Sequence, residues 1–372
     1  MSERLIFTVT NDLSYDQRMH RICTTLAAEG YDVVLVGRQL PASVPLEQRN
    51  FRQHRLRCRF DKGFLFYAEY NLVLFFWLLR QPCDAICAID LDSLPAGATA
   101  SLLRGKKRVF DAHEYFTEVP EVVGRPFVRT FWAIVARIFL PFYRHAYTVG
   151  PALAAIFTKK YGIPFAVIRN VPLPAERPPA LPERRFLLYQ GALNAGRGIE
   201  TALEAMRHLP ELELWLAGEG DLSAELRALA VRLGVDTRVR FLGYVQPAAL
   251  KAITAQAWLG LNLLENKGLS YYYSLANKFF DYVQAEIPVV TMDFPEYRAL
   301  QEQFPVALLL SGLNADELAR VIRDLLRDPA RYEALQQACR EARTVWNWDR
   351  ERITLIRLWA QVFDRQSIKP PM

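Results

Sequence analysis

The stretch that decides the fold is ENKGLSYYYSLANKFFDYVQAEIPVVTMD, which occupies residues 265–293. Apolar residues recur every four positions between 275 and 287, so this part is predicted to form a helix with one apolar face. Ser274 stands where it could cap the start of that helix. Pro288 ends the helix, and the apolar run 289–292 is typical of a buried strand. A glycine-containing loop that leads into a helix start suits the binding of an anion.

Two charged side chains lie in the first turns of this predicted helix. Lys278 would place a positive charge beside the free backbone amides, and Asp281, one turn further on, could accept hydrogen bonds from hydroxyl groups. One interpretation is a phosphate at the helix start with a sugar hydroxyl near Asp281. The other is an ordinary capped helix whose Lys and Asp are solvated. The residues by themselves favour the second interpretation.

Composition and charge restrict the class of protein. The chain has 372 residues, 51% hydrophobic and 23% charged, which suits a globular protein of two domains. Its net charge of +6 favours anionic partners. No motif of a nucleic-acid-binding fold accompanies that charge, so nucleic acid is not expected as a partner. Five scattered cysteines and the absence of a signal-like N-terminus predict a reduced protein of the cytoplasm.

Apolar strands alternate with helices along the chain, which predicts an α/β fold with parallel sheets. A proline-dense stretch at residues 172–184 divides the alternation, so we expect a first domain over 1–171 and a second over 185–345. Residues 346–372 would form a closing helix. In the second half, the loop 190–198 joins a strand to a helix. Its glycines would let the backbone approach a phosphate.

Arg197 in that loop could give a bidentate bond to a diphosphate, or it could simply be solvated at a tight turn. In the first half, polar side chains stand near strand ends, where α/β sheets bind ligands. They are Asp12, Asp16, Arg18, Asp92, His113 and Glu114. The first three either face a substrate or cap and solvate the following helix. His113 could serve a sugar hydroxyl, a phosphate or a proton transfer, although a lone histidine is more often structural.

Residues 126–144, with Arg125 directly before them, interleave four arginines with aromatic side chains. A basic helix with exposed aromatic residues would lie on an anionic membrane surface. In the alternative interpretation, the aromatic residues are buried against the sheet and the arginines face water. Periodicity does not show which face is exposed, so both interpretations stay open.

Several motifs resemble those of the retaining glycosyltransferases of family 4. The run 276–290, ANKFFDYVQAEIPVV, is similar to the family's PNKxxEYMAxGxPVV, with Asp281 where a glutamate binds the donor ribose. Tyr273 stands where that family carries a further glutamate. The loop 190–198 resembles the family's GRLxxxKG, with Arg197 at its lysine position and Ala192 in place of its arginine. His113 and Glu114 resemble a His-Asp or His-Glu pair whose histidine contacts the donor sugar.

The resemblance implies a GT-B fold, in which two doubly wound Rossmann-like domains face each other across a cleft. It implies a sugar nucleotide as donor, a glycan or lipid-linked acceptor, and neither a metal nor a separate cofactor. The protein would work in the cytoplasm, with attachment to the inner face of the membrane left open. An epimerase of the same fold and a non-catalytic subunit are the alternatives. The implied donor-binding residues are Gly191, Arg197, Tyr273, Ser274, Asn277, Lys278 and Asp281.

Overall fold

A computed structural model describes residues 2–174 and 185–365, and these form two compact units. The first unit contains the residues up to Arg169 together with those from Glu351 onward. The second contains the residues from Asn170 to Arg350. Most of the predicted linker, from residue 175 to residue 184, lies outside the described residues.

The first unit is built on a sheet of seven parallel strands in the order β3-β2-β1-β4-β5-β6-β7. The order reverses between β1 and β4, so the sheet is doubly wound. The edge strand β3 has no counterpart in the sequence-based prediction, because its basic residues do not form an apolar run. The strands are Arg4–Thr8 (β1), Asp32–Gln39 (β2), Arg52–Arg57 (β3), Ala85–Ile89 (β4), Lys107–Ala112 (β5), His145–Thr148 (β6) and Phe165–Val167 (β7).

Helices cover this sheet, and the last helix of the described residues contributes to the same core. The ring of Trp359 is fully buried and lies 5.4 Å from the ring of Phe7 on β1. Residues from Glu351 onward therefore belong to the first unit. The helices of this unit are Gln17–Ala28 (α1), Gly63–Arg80 (α2), Asp90–Leu103 (α3), Pro120–Val123 (α4), Pro126–Phe139 (α5) and Pro151–Tyr161 (α6), and most of the chain's last helix, Trp348–Val362, also belongs to it.

Most of the aromatic and basic segment 126–144 folds as α5, and this helix has apolar side chains on two of its sides. Trp132, Val135 and Ala136 are buried, whereas several other apolar residues of the helix are exposed. The helix therefore carries both buried and exposed aromatic and aliphatic side chains, and contact with a membrane stays a prediction. Within the described residues, we find no helix whose length and apolar character would let it cross a membrane.

The second unit holds a sheet of six parallel strands in the order β10-β9-β8-β11-β12-β13. It reverses between β8 and β11, so this sheet is doubly wound as well. Both sheets confirm the predicted α/β class. The strands are Phe186–Gln190 (β8), Glu213–Ala217 (β9), Val239–Gly243 (β10), Leu259–Asn262 (β11), Val289–Met292 (β12) and Ala307–Leu310 (β13).

The helix predicted from the opening stretch is seated on this sheet by a tyrosine. The buried hydroxyl of Tyr282 donates to the carbonyl of Leu188 at 2.9 Å and accepts from the amide of Gln190 at 3.2 Å. A Cβ on Gly260 would lie 2.4 Å from the Tyr282 ring, so the glycine allows this close approach. The helices are Ile199–Ala205 (α7), Ser223–Arg232 (α8), Pro247–Thr254 (α9), Leu269–Tyr272 (α10), Asn277–Gln284 (α11), Pro295–Gln303 (α12), Ala315–Arg327 (α13) and Pro329–Val345 (α14), and the helix Trp348–Val362, which the two units share, is α15.

Candidate functional site

The prediction that Ser274 caps the helix is wrong, because α11 begins three residues later, at Asn277. The Ser274 hydroxyl donates to the carbonyl of Tyr271 at 2.9 Å and so closes the short helix α10. Ala276 precedes α11 in an extended conformation, and its amide donates to the Tyr297 hydroxyl at 3.0 Å. The segment with the three tyrosines 271–273 thus belongs to the separate helical turn α10. The N-terminus of α11 therefore lies nearer to Lys278 than predicted.

Two loops that are distant in sequence meet at Lys278. A Cβ on Gly191 would lie 3.3 Å from the Lys278 Nζ atom, and Gly191 has a φ of +131°, which favours glycine. The Nζ atom also lies 3.7 Å from the centre of the Tyr189 ring, a cation–π contact. Across the neighbouring strand end, a Cβ on Gly218 would lie 1.9 Å from the Gly191 carbonyl oxygen. At the carboxyl ends of β8 and β9, the glycines 191 and 218 therefore allow the backbone and the Lys278 ammonium to lie close together.

Arg197 adds a second positive charge to this place. Its guanidinium lies 4.9 Å from the centre of the Tyr271 ring, and Gly196 makes room for that ring. Burial holds the pKa of Lys278 well below its ordinary value, and the nearby Arg197 charge lowers it further, while Asp281 acts in the opposite direction. An anion that bound between Arg197 and Lys278 would be favoured, and it would also favour the charged form of Lys278.

Asp281 is held at the same strand end by two polar residues that the sequence analysis missed. Gln190 donates from Nε2 to the Asp281 carboxylate at 3.0 Å. The other end of that amide, Oε1, accepts from the Thr254 hydroxyl at 2.8 Å. This chain of bonds fixes the carboxylate one turn beyond Lys278. A polar residue that closes a buried strand, as Gln190 does, is the signal that could have pointed to it.

The remaining predicted residues of the second unit lie on the segment that leads into α11. Tyr273 ends α10, and its ring packs edge-on against Tyr272 at 5.0 Å between centres. Asn277 is exposed at the first position of α11, and its side-chain oxygen accepts from Asn170 at 2.7 Å. The structure therefore brings Gly191, Arg197, Lys278 and Asp281 into one group, and Tyr273 and Asn277 lie beside it along the chain.

In the first unit, a buried ion pair supports His113. The Arg18 guanidinium donates to Asp111 Oδ1 at 3.0 Å and to the Ile168 carbonyl at 2.9 Å. The other carboxylate oxygen of Asp111 lies 3.0 Å from His113 Nε2. Both interpretations of Arg18 are wrong, because its charge is turned inward to a fully buried carboxylate and faces neither a substrate nor water. Sequence analysis did not single out Asp111, although it is the last residue but one of β5 and lies two residues before the histidine.

A second carboxylate lies on the other side of the His113 ring. The His113 amide donates to Asp90 Oδ1 at 2.8 Å, and Asp90 Oδ2 lies 3.9 Å from His113 Nδ1. Burial works against the charged imidazolium, but the Asp111 carboxylate, assisted by Asp90, raises the pKa of His113 to about 9. His113 is therefore a charged hydrogen-bond donor at neutral pH.

Asp12 and Asp16 have the local roles that the alternative interpretation gave them. Asp12 accepts hydrogen bonds from Ser14 and from the Ser43 hydroxyl, which lies 3.0 Å away. Asp16 accepts from the Met19 amide at 3.0 Å and so caps α1. Both carboxylates stabilise the turn that follows β1.

Asp92 and Glu114 lie near His113 in different surroundings. The Thr10 hydroxyl donates to the buried Asp92 carboxylate at 2.5 Å. Burial raises the pKa of Asp92 to about 6, although this hydrogen bond lowers it in part. Glu114 is exposed. Among the described residues, no group of three or more His, Cys, Asp or Glu side chains is arranged to hold a metal ion.

The two doubly wound parallel sheets match those of solved GT-B glycosyltransferase structures, so the chain has the GT-B fold. Residues 17–174 match the family model described as Glycosyltransferase Family 4, and residues 184–328 match the model described as Glycosyl transferases group 1. The two matches cover successive parts of the chain, which therefore belongs to the family 4, group 1 glycosyltransferases.

Individual relatives agree with this family. A lipopolysaccharide core biosynthesis glycosyltransferase, LpsE of Rhizobium meliloti (strain 1021), is 38% identical over 71 residues, which span 19% of each protein. The sucrose-phosphate synthase of Thermosynechococcus elongatus has a similar fold, with a TM-score of 0.80, 18% identity and coverage of 97% of this chain and 99% of that one. HepE of Anabaena, solved in complex with UDP, gives a TM-score of 0.73 at 15% identity over 97% of this chain and 99% of HepE.

Proposed function

We propose that this protein transfers a sugar from a nucleotide-diphosphate sugar to a glycan or lipid-linked glycan during polysaccharide synthesis in the cytoplasm, at the inner face of the membrane. The bond between the anomeric carbon of the sugar and the diphosphate oxygen breaks, and a bond to the acceptor oxygen forms. The nucleotide diphosphate leaves with the bonding electrons and so with added negative charge, and the proton of the acceptor hydroxyl passes to it or to solvent. The single observation that carries the proposal is the convergence of Gly191, Arg197, Lys278 and Asp281 at the strand ends of the second unit.

The two cations would bind the diphosphate and stabilise it as it leaves. Arg197 offers a planar donor for two phosphate oxygens, and Lys278 offers a point charge beside the open backbone of Gly191. Fixed charges in a poorly solvated site stabilise developing negative charge more strongly than water does. In this proposal the protein's own cations take the role that a metal ion has elsewhere.

Asp281 would bind the ribose. It follows Lys278 by three residues on α11, which places it roughly 4.5 Å further along the helix axis. That spacing allows a phosphate and the adjacent sugar hydroxyls to contact the same helix. Tyr273, Ser274 and Asn277 would border the donor on the segment before α11.

His113 would donate a hydrogen bond to the transferred sugar. Its support is the pair of carboxylates that keep the imidazolium charged and oriented. By membership of the family, we further propose that the sugar keeps its anomeric configuration. An NMR assignment of the anomeric proton in the product, compared with that in the donor, tests this part of the proposal.

The proposal is tested by calorimetry with UDP, GDP and their sugar conjugates. We expect one nucleotide class to bind, and we expect Arg197→Met to weaken that binding by roughly tenfold or more. Arg207→Met, at an exposed position of the same unit, is the matched control. Release of the nucleotide only when a glycan acceptor is added supports transfer. Conversion of the sugar without an acceptor would instead indicate an epimerase, and failure to bind any nucleotide would contradict both activities.

A further inference from the structure

Arg38, near the carboxyl end of β2, is a half-buried cation. Its guanidinium carbon lies 4.0 Å from the centre of the Phe66 ring of α2. Nη1 donates to the Asp61 carbonyl at 2.9 Å, whereas Nε is buried and has no hydrogen-bond partner within the described part of the chain. Among the same residues, Arg38 forms no ion pair. Its charge is therefore not neutralised by the residues that the structure describes, and its planar group suits a phosphate or a carboxylate.

The backbone of Arg38 is tied to the edge of the first sheet where ligands are expected. Its amide donates at 2.8 Å to the carbonyl of Asn11, in the loop that follows β1. The strand order of this sheet reverses between β1 and β4, and α/β sheets bind ligands in the crevice at such a reversal. The Thr10 hydroxyl, which follows β1, donates to the carboxylate of Asp92, which follows β4. Arg38 and Asp92 therefore border the same crevice.

Tyr67 of α2 lies close to both of these charged groups. Burial raises the pKa of its phenol, the negative charge of Asp92 raises that pKa further, and the positive charge of Arg38 lowers it. The side-chain nitrogen of Asn71 donates to the Tyr67 carbonyl at 2.9 Å and to the Asp92 carbonyl at 2.8 Å, which holds α2 against α3. Convergent polar groups beside an aromatic ring are typical of a ligand pocket. Arg38, Tyr67 and Asp92 are called the Arg38 site below.

The Arg38 site is separate from the histidine proposed to contact the transferred sugar. His113 follows β5, and the strands β2, β1, β4 and β5 are successive neighbours in the sheet. Neighbouring strands are about 4.8 Å apart, so the ends of β2 and β5 lie roughly 14 Å from each other. This separation is longer than one sugar ring. A group bound at Arg38 would therefore belong to the acceptor and not to the transferred sugar.

We propose that the acceptor carries an anionic group, a phosphate or a carboxylate, which Arg38 binds while Tyr67 and Asp92 bind neighbouring hydroxyls. This inference rests on the proposed function, since it names the class of acceptor for that transfer. Both kinds of anion offer a guanidinium two oxygens, and such charge-assisted hydrogen bonds are stronger than neutral ones. A neutral acceptor would instead leave the half-buried charge of Arg38 uncompensated, which costs free energy.

The test is saturation-transfer NMR of the full chain with glucose 6-phosphate, glucuronic acid and glucose. The first two sugars distinguish a phosphate from a carboxylate, and glucose is the neutral control. We expect at least one anionic sugar to bind roughly tenfold or more tightly than glucose. The same titrations with Arg197→Met and Lys278→Met combined, which removes both cations of the nucleotide site, should give the same preference.

Arg38→Gln should weaken binding of the anionic sugar by roughly tenfold or more and leave binding of glucose unchanged. Arg38→Lys keeps the charge but not the planar pair of donors, so it should lose only part of the preference. Arg57→Gln is the matched control. Leu56 is the register partner of Arg38, so the exposed Arg57 points to the opposite face of the sheet and its variant should bind as the unaltered protein does. Thermal unfolding of each variant shows whether the fold is kept.

Three results would overturn the proposal. In the first, neither anionic sugar binds more tightly than glucose, or none of the three sugars binds. In the second, the preference persists in Arg38→Gln. In the third, the preference disappears when the cations of the nucleotide site are removed, which would place the anionic sugar at that site instead.

Nucleotide binding by calorimetry separates this proposal from the proposed function. It should be the same for Arg38→Gln and for the unaltered protein, because the nucleotide is proposed to bind in the second unit. A protein that binds no nucleotide but keeps the Arg38-dependent preference would contradict the proposed function alone. The Arg38 site would then stand as a site for anionic sugars.

Discussion

Lys278 should take up a proton when the donor binds. Its ammonium lies in a poorly solvated site beside Arg197, and both conditions hold its pKa well below the ordinary value. A bound diphosphate brings negative charge to the same place and raises that pKa again. At a pH between the two values, the free protein lacks the proton and the complex carries it. Binding in this window is therefore linked to the uptake of one proton.

The magnitude follows from that single proton. Each increase of one pH unit within the window should weaken donor binding about tenfold, or about 1.4 kcal/mol. Arg197 stays charged throughout and contributes nothing to this slope. A nucleotide-diphosphate sugar is the appropriate ligand, because its phosphates are diesters that do not titrate near neutral pH.

Calorimetry in two buffers with different heats of ionisation measures the uptake directly. We expect the observed binding heat to differ between the buffers, and we expect Lys278→Met to remove the difference and to weaken binding by about 1.5–3 kcal/mol. Lys267→Met is the control, because Lys267 is an exposed lysine of the preceding loop that pairs with Glu265. Equal heats in both buffers, with an affinity that does not change with pH, would refute the reasoning about Lys278.

Three further outcomes are expected. Asp111→Asn should shift the alkaline limit of the pH–rate profile from near pH 9 to lower pH, because the carboxylate that raises the pKa of His113 is lost. A limit that does not move would argue against a charged His113. In a competition assay, Asp281→Asn should weaken nucleotide binding by roughly tenfold more than it changes pyrophosphate binding, and an equal change for both ligands would exclude the ribose contact. Gly218→Ala should lower the free energy of unfolding in urea by roughly 4 kcal/mol or more, since its Cβ would overlap a carbonyl oxygen at 1.9 Å. Gly234→Ala is the control and should lower that free energy by only about 1 kcal/mol, because there is open space around its Cβ. Similar values for the two variants would show that the strand ends can separate.

Much of the fold could be predicted because its signals are local. Buried parallel strands are short apolar runs, and the helices between them carry their own apolar periodicity. Gly191, Lys278 and Asp281 could be named as candidates because strand ends and helix starts are where α/β folds bind ligands. The edge strand β3 was missed because half of its surroundings are solvent, so its residues need not be apolar.

The same local signals could not show how side chains from distant segments meet. Ser274 was predicted to cap a helix that in fact begins at Asn277, because the Tyr297 hydroxyl, far along the chain, holds the intervening backbone extended. Arg18 looked like a solvated residue of a helix start. Its buried partner, Asp111, comes from another strand, 93 positions later.

By itself, the sequence determined the order of strands and helices, the apolar face of each element and the residue types at each strand end. Those properties depend on neighbours within a few positions along the chain. Only the tertiary structure decided that Lys278 lies beside Gly191, that Gln190 holds Asp281 and that several apolar side chains of α5 are exposed. Each of these depends on elements brought together from distant parts of the chain. The burial of a side chain, its exposure and its electrostatic coupling to other charges are determined only when those elements have packed.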